Sequence, residues 1–118
     1  MKIIKKWETN YKRGFYVMLL LFSLLIVIYI GGAMNVVAEN SNGGKMPVLS
    51  KYSYETDFHY TYQSKDEVNY WFFTDFIDMG DSAWSVGDFI MWFSYGLMLS
   101  IFIMASSRAL GVFRRVEV

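Results

Sequence analysis

The residues best equipped for chemistry lie in the middle of the chain. Nine carboxylates fall between Glu39 and Asp88, with the single histidine, His59, among them. Asp75, Asp78, Asp81 and Asp88 follow at short intervals and lead into an apolar run. Closely spaced carboxylates can exchange protons or gather cations at an entrance. Asp88 sits at the mouth of that run, where an ionisable group is costly without a partner. Asp88 and Asp81 are therefore the candidate ion site. The plainer account is that acidic residues simply remain on the side of a membrane from which basic ones are held back. His59 stands between Asp57 and Thr61. One imidazole with carboxylates could hold a metal ion, but the spacing fits no familiar ligand pattern, so a surface histidine bonded to a neighbour is expected.

The remaining chemical candidates point away from catalysis. With no cysteine, disulfides, thiolate ligands and thiol nucleophiles are excluded. Met18, Met34, Met46, Met79, Met91, Met98 and Met104 are scattered, with no Met-x-x-Met array, and read as packing residues rather than copper ligands. Phosphate loop, nucleophile elbow and nucleic-acid patch are all missing from the sequence. The expectation is a non-enzyme that needs no cofactor or metal and binds no nucleic acid.

Two apolar runs must position the acidic stretch. Phe15 to Val37 is uncharged, and at about 1.5 Å per residue it makes a helix long enough for a hydrocarbon core of roughly 30 Å. Val86 to Ser106 is charged only at Asp88 and is also long enough. A cleaved signal peptide is the other reading of the first run, since Val36-Val37-Ala38 loosely resembles a cleavage site. The run is longer than a usual signal core, so a span is preferred. Lys2, Lys5, Lys6, Lys12 and Arg13 precede it against Glu8 alone, and Arg108, Arg114 and Arg115 follow the second run against Glu117. Between the runs, Lys45, Lys51 and Lys65 face nine acids. Basic flanks stay in the cytoplasm, which predicts a multi-pass protein of the cell membrane with both termini inside. The N-terminal basic cluster also reads as an anchor to anionic lipid. The expected segments are a cytoplasmic N-terminus over 1–14, spans over 15–37 and 86–106, an extracytoplasmic loop over 38–85, and a cytoplasmic tail over 107–118. Small residues on the spans, Gly31-Gly32-Ala33 and Ser94, Gly96 and Ser100, mark faces that permit close helix approach.

The loop carries its own pattern. Asn40-Ser41-Asn42-Gly43-Gly44 predicts a turn. From Tyr52 to Tyr62 the residues alternate, with Tyr52, Tyr54, Phe58, Tyr60 and Tyr62 on one face, which predicts a strand. A lone strand is unstable in water, so it must pair with Met46–Lys51, with a second copy or with another protein. Ser64-Lys65-Asp66-Glu67 has the form of a capping box and predicts a helix over 65–79. Val68, Trp71, Phe72, Phe76 and Met79 would form its apolar stripe, lying in the membrane interface or packed on the tops of the spans. Gly80-Asp81 breaks it, and Ser85-Val86-Gly87-Asp88 is a second capping box opening the second run. The fold class read from these features is an all-α membrane protein, two transmembrane helices joined by an extracytoplasmic loop with a short strand and an interfacial helix.

Asn42-Gly43-Gly44-Lys45-Met46-Pro47-Val48, then Phe72-Phe73-Thr74-Asp75-Phe76-Ile77, then Trp84-Ser85-Val86-Gly87-Asp88 before a span resembles a bacterial family of multi-span membrane proteins. That family, classed as a domain of unknown function, carries Asn-Gly-x-x-Met-Pro-Val and, before its last helix, Ser-x-Gly-Asp. The resemblance covers roughly Met34 to Met104, the family's C-terminal part, without its additional N-terminal helices. It implies that Met46-Pro47-Val48 and Gly87-Asp88 matter, and it implies no reaction.

Two helices enclose too little volume for a channel or transporter alone. The functional expectation is a small accessory or assembly subunit of a larger membrane complex, or a homo-oligomer. Its partners would be lipid and other integral subunits or copies of itself. The expected contact residues are Met46, Pro47, Val48, Tyr54, Phe58, Tyr60, Trp71, Phe72 and Phe76. The alternatives are a homo-oligomeric cation or proton path using Asp88, and a membrane-active toxin or lysis protein.

Overall fold

The computed structural model describes residues 2–49 and 56–116. In chain order they form helix α1 (Lys2–Ser41), strands β1 (Met46–Leu49) and β2 (His59–Tyr62), 3₁₀ turns at Lys65–Glu67 and Trp71–Phe73, strands β3 (Ile77–Asp78) and β4 (Ala83–Trp84), and helix α2 (Val86–Val116). The molecule is a rod of 68 × 24 × 19 Å, with two antiparallel helices along its length and the loop folded at one end. Glu8–Ser41 and Val86–Arg108 are long and apolar enough to cross a membrane. Both helices overrun the apolar runs that predicted them. Propagation costs little once a helix is nucleated, and polar residues at the free end support it, as in the i,i+4 pair of Lys12 with Glu8 at 2.9 Å.

The helices pack through a narrow seam. On α1, Leu24, Gly31 and Ala38 are buried, with half-buried Ile28 and Asn35 between them. On α2, Gly87 and Ser94 are buried and Met91, Met98 and Ile101 are half-buried. Both sets follow the alternating spacing of three and four that keeps one stripe of each helix facing the other. Almost every large apolar side chain off the seam is exposed: Phe22 is 63 % accessible, Phe102 69 % and Ile103 57 %. An apolar surface of this extent is not one a monomer presents to water.

The loop has a small core of its own. β1 pairs in parallel with β2, Met46 against His59 through Leu49 against Tyr62. On its other edge β1 receives Asp75: the Asp75 amide donates to the Pro47 carbonyl and the Leu49 amide to the Asp75 carbonyl, each at 3.0 Å. Met46, Pro47, Val48, Tyr62, Val68 and Thr74 are buried between these segments. β3 and β4 form an antiparallel hairpin, with Ile77 opposite Trp84, turned by Gly80 at φ +87°.

Two expectations for the loop are corrected. The strand begins at His59 instead of Tyr52, and Tyr52 and Tyr54 lie outside the described residues. The Thr56 hydroxyl accepts from the amides of Phe58 and His59, a side-chain turn that diverts the backbone and leaves Phe58 76 % exposed. Thus Phe58 does not share the face of buried Tyr62, although the period-two pattern placed it there.

The helix expected over 65–79 is replaced by two single 3₁₀ turns and a strand. The capping box at Ser64 is present, with the Ser64 amide donating to Glu67 at 3.0 Å, but it opens only one turn. Asn69 stops the helix. Its amide donates to Asn42 Oδ1 (2.8 Å), its carboxamide to the Ser41 carbonyl (2.9 Å), and its carbonyl accepts from Asn42 Nδ2 (2.9 Å). Three bonds of about 1 kcal/mol each outweigh the weak helix preference of a β-branched and aromatic run. They clamp the chain to the end of α1, with Val68 extended and Tyr70 left-handed at φ 51°. The apolar stripe of Val68, Trp71, Phe72, Phe76 and Met79 is consequently not one helical face.

Candidate functional site

The site grows from the end of α1 and the start of α2, where the backbones come together. A methyl added to Gly31 would lie 2.7 Å from the Gly87 carbonyl, and one added to Gly87 would collide with Asn35 and the Gly31 carbonyl. Only glycine permits this approach. One turn beyond Gly31, Asn35 donates its carboxamide to Asp88 Oδ1 at 2.7 Å and accepts from the Ser85 hydroxyl at 2.7 Å. Ser85 and Asp88 close the predicted capping box: the Ser85 amide donates to Asp88 Oδ2 at 3.1 Å, and the Asp88 amide to Ser85 Oγ at 3.0 Å. Both carboxylate oxygens of Asp88 are thereby engaged, Oδ1 with Asn35 of α1 and Oδ2 with the cap of its own helix, at the positive end of the α2 dipole. Asp81, the other candidate ion residue, is exposed in the β3–β4 turn.

The carboxylate in the most demanding surroundings is Asp75, which the acidic-patch reading did not single out. The β1 edge draws it inward until it is 6 % exposed. Its Oδ1 is buried and, among the described residues, meets no donor. Its Oδ2 lies 3.7 Å from His59 Nε2, too far for a good hydrogen bond. Burial, then the negative charge of Asp88, then that of Glu39 push the Asp75 carboxyl up to about 7. Beside it, buried Thr74 shares a 2.8 Å hydrogen bond with the Tyr62 hydroxyl. Burial raises the Tyr62 phenol above its ordinary value, with the Thr74 bond acting against it and the Asp75 charge adding to it.

Asp75 opens on a cleft of about 210 Å³ lined also by Val48, His59, Ser82 and Ala83. His59 is held by Thr56, whose Oγ1 is 3.0 Å from Nδ1. The cleft is thus a short apolar wall with a carboxyl at its base and an imidazole at its side, which suits the head of a cationic side chain. No group of three or more metal-ligating side chains gathers among the described residues.

The expected contact residues separate into distinct environments. Met46, Pro47 and Val48 are buried in the loop core, so they form no exposed contact surface. They hold β1, which in turn fixes Asp75. Phe58 and Phe72 are exposed, whereas Tyr60, Trp71 and Phe76 are half-buried. Trp71 packs edge-on against Phe76 at 5.4 Å and carries the Lys65 ammonium 3.6 Å above its ring. Tyr54 lies outside the described residues. The buried acid of a Thr-Asp pair inside the aromatic run Phe72 to Ile77 was the one available sequence signal for Asp75; Asn35 gave none, being one polar residue near the end of an apolar run. No protein-family model, curated protein or solved structure matches the chain.

Proposed function

We propose that the protein is a small non-catalytic subunit of a larger membrane assembly. Its two apolar helices insert in the cell membrane with both termini on the cytoplasmic side, and its outer loop receives a lysine or arginine of a neighbouring integral subunit in the Asp75 cleft. The observation that carries this reading is Asp75 itself, a nearly inaccessible carboxyl with one oxygen unbonded at the base of a cleft. A buried carboxylate without compensation is expensive, and a cation from a partner is the compensation the cleft has room for. The same reading takes the motif likeness to the multi-span family as kinship, because β1, Asp75 and Asp88 bring its three motif segments to one place.

A cation path through Asp88 has less support, since both of its oxygens already accept hydrogen bonds, one from Asn35 across the helix joint and one from the cap of its own helix. Nothing in the geometry favours a toxin or lysis protein. The test places a photo-crosslinking amino acid at Ser82, on the rim, and extracts the full-length protein from its native membrane in polymer discs. Adducts should concentrate on one integral membrane protein or a second copy, and Asp75→Asn should lower their yield roughly tenfold, as loss of one charge pair does. A monodisperse monomer with a folded loop and no adduct would overturn the proposal.

A further inference from the structure

At the end of the rod away from the loop lies a cavity of about 630 Å³ between the helices, whose walls include Asn10, Arg13 and Gly14 from α1 and Ala105 and Arg108 from α2. A second cavity, of about 210 Å³, continues along the helices past Leu20, Ile101 and Met104, and shares Val17, Ala105 and Arg108 with the first. The pair makes one cleft graded from two guanidinium groups to a purely apolar floor. The space is open at its wall: a methyl added to Gly14 or Gly111 would touch nothing within 4 Å. Neighbouring Lys12 is neutralised by Glu8, whereas neither Arg13 nor Arg108 has a carboxylate partner among the described residues. Arg13 lies just before the apolar run of α1 and Arg108 just after that of α2, the level at which phospholipid headgroups sit beside a span.

We propose that this cleft binds an anionic phospholipid, its phosphate between Arg13 and Arg108 and an acyl chain on the floor formed by Val17, Leu20, Ile101 and Met104. Two guanidinium forks can hold a phosphate in several orientations at once. A free phosphate would use the arginines and leave the apolar floor bare, so the graded lining selects a lipid. The inference rests on reading the two helices as spans, and is independent of what occupies the Asp75 cleft.

The test is native mass spectrometry of the full chain released from detergent carrying equal phosphatidylglycerol and phosphatidylcholine. Phosphatidylglycerol should be retained roughly tenfold over phosphatidylcholine, the scale expected of two arginines near an anionic headgroup. The preference should vanish in Arg13→Gln with Arg108→Gln, and survive in Lys12→Gln, which removes one charge outside the cleft. Ala105→Leu keeps both arginines and narrows the cleft, and should lower retention without needing the charge variant to fold. Equal retention of the two lipids, an equal effect of Lys12→Gln, displacement by millimolar inorganic phosphate, or a dimer in place of the lipid adduct each overturns the proposal. Retention of neither lipid overturns it too, while the reading of the helices as spans stands or falls separately on labelling from the two sides of the membrane.

Discussion

The folded chain holds the Asp75 proton to about 7, while an unfolded chain releases it near the ordinary value of 3.8. Between those limits the folded state binds more protons than the unfolded one, so stability must fall as pH rises, with the benefit fully present below the lower limit and gone above the upper one. The groups facing Asp75 are His59 across the cleft and Asp88 and Glu39 behind it. Asp75→Asn keeps the shape and cannot ionise. Thermal unfolding followed by tryptophan fluorescence should show the wild type losing stability from about pH 4 to pH 7 and levelling off above, with the slope much reduced in Asp75→Asn. An unchanged slope in Asp75→Asn would show that the carboxyl titrates outside this window. If a cationic side chain of a partner enters the cleft as proposed, the same substitution should weaken its capture while stabilising the isolated chain above pH 7. Below about pH 7 the proton competes with that cation, and partner retention in the disc extract should decline as the buffer is acidified.

The joint between α1 and α2 depends on side chains fifty or more residues apart. Replacing Asn35 by leucine leaves Asp88 Oδ1 and the Ser85 hydroxyl without their partners, and unsatisfied buried groups cost about 1–3 kcal/mol. Gly87→Ala strikes the Asn35 carboxamide and the Gly31 carbonyl, so it should separate the helices as well as weaken them. Denaturant titration in mixed micelles should rank both well below Ser100→Ala, whose exposed hydroxyl bonds only within its own helix. This joint also marks the limit of what could be read from sequence. The Ser85 and Ser64 capping boxes and the glycines of the Asn40–Gly44 turn were legible because each is settled within four or five residues, although Asn40 and Ser41 prove to be the last residues of α1 and Gly80 turns a hairpin instead of ending a helix. The apolar runs were legible because span length is a count. The role of Asn35 was not, since its partners come from the far side of the loop. The helix over 65–79 failed for the same reason, as Asn69 answers to Asn42 and Ser41 before its own neighbours. Burial of Met46, Pro47 and Val48 required knowing that β1 would be flanked on both edges, by β2 and by Asp75.

The length of the rod and the placement of its charges bear on orientation together. α1 rises about 60 Å over its forty residues, twice a hydrocarbon core of roughly 30 Å, so in a bilayer one or both of its ends would stand clear of the lipid. The end near the loop cannot extend far, because Gly43 and Gly44 turn the chain back at φ +81° and +83° and Asn42 ties it to Asn69. The excess length therefore lies at the free ends, where Lys12, Arg13 and Arg108 are found, and the nine acids lie around the loop. A membrane potential negative inside and the bias of insertion both favour leaving that basic end in the cytoplasm. The absence of native cysteine makes this testable one site at a time. Lys12→Cys, Ser82→Cys and Ser107→Cys should each leave the fold intact, since Lys12 and Ser107 are exposed and Ser82 sits in the β3–β4 turn. A membrane-impermeant maleimide added to intact cells should label Ser82→Cys alone, and the other two only after permeabilisation. Labelling of positions 12 and 107 in intact cells with protection of position 82 would place the loop inside, and the Asp75 cleft would then face cytoplasmic partners instead. Labelling of all three without permeabilisation would mean that the apolar surfaces of α1 and α2 are covered by protein and not by lipid.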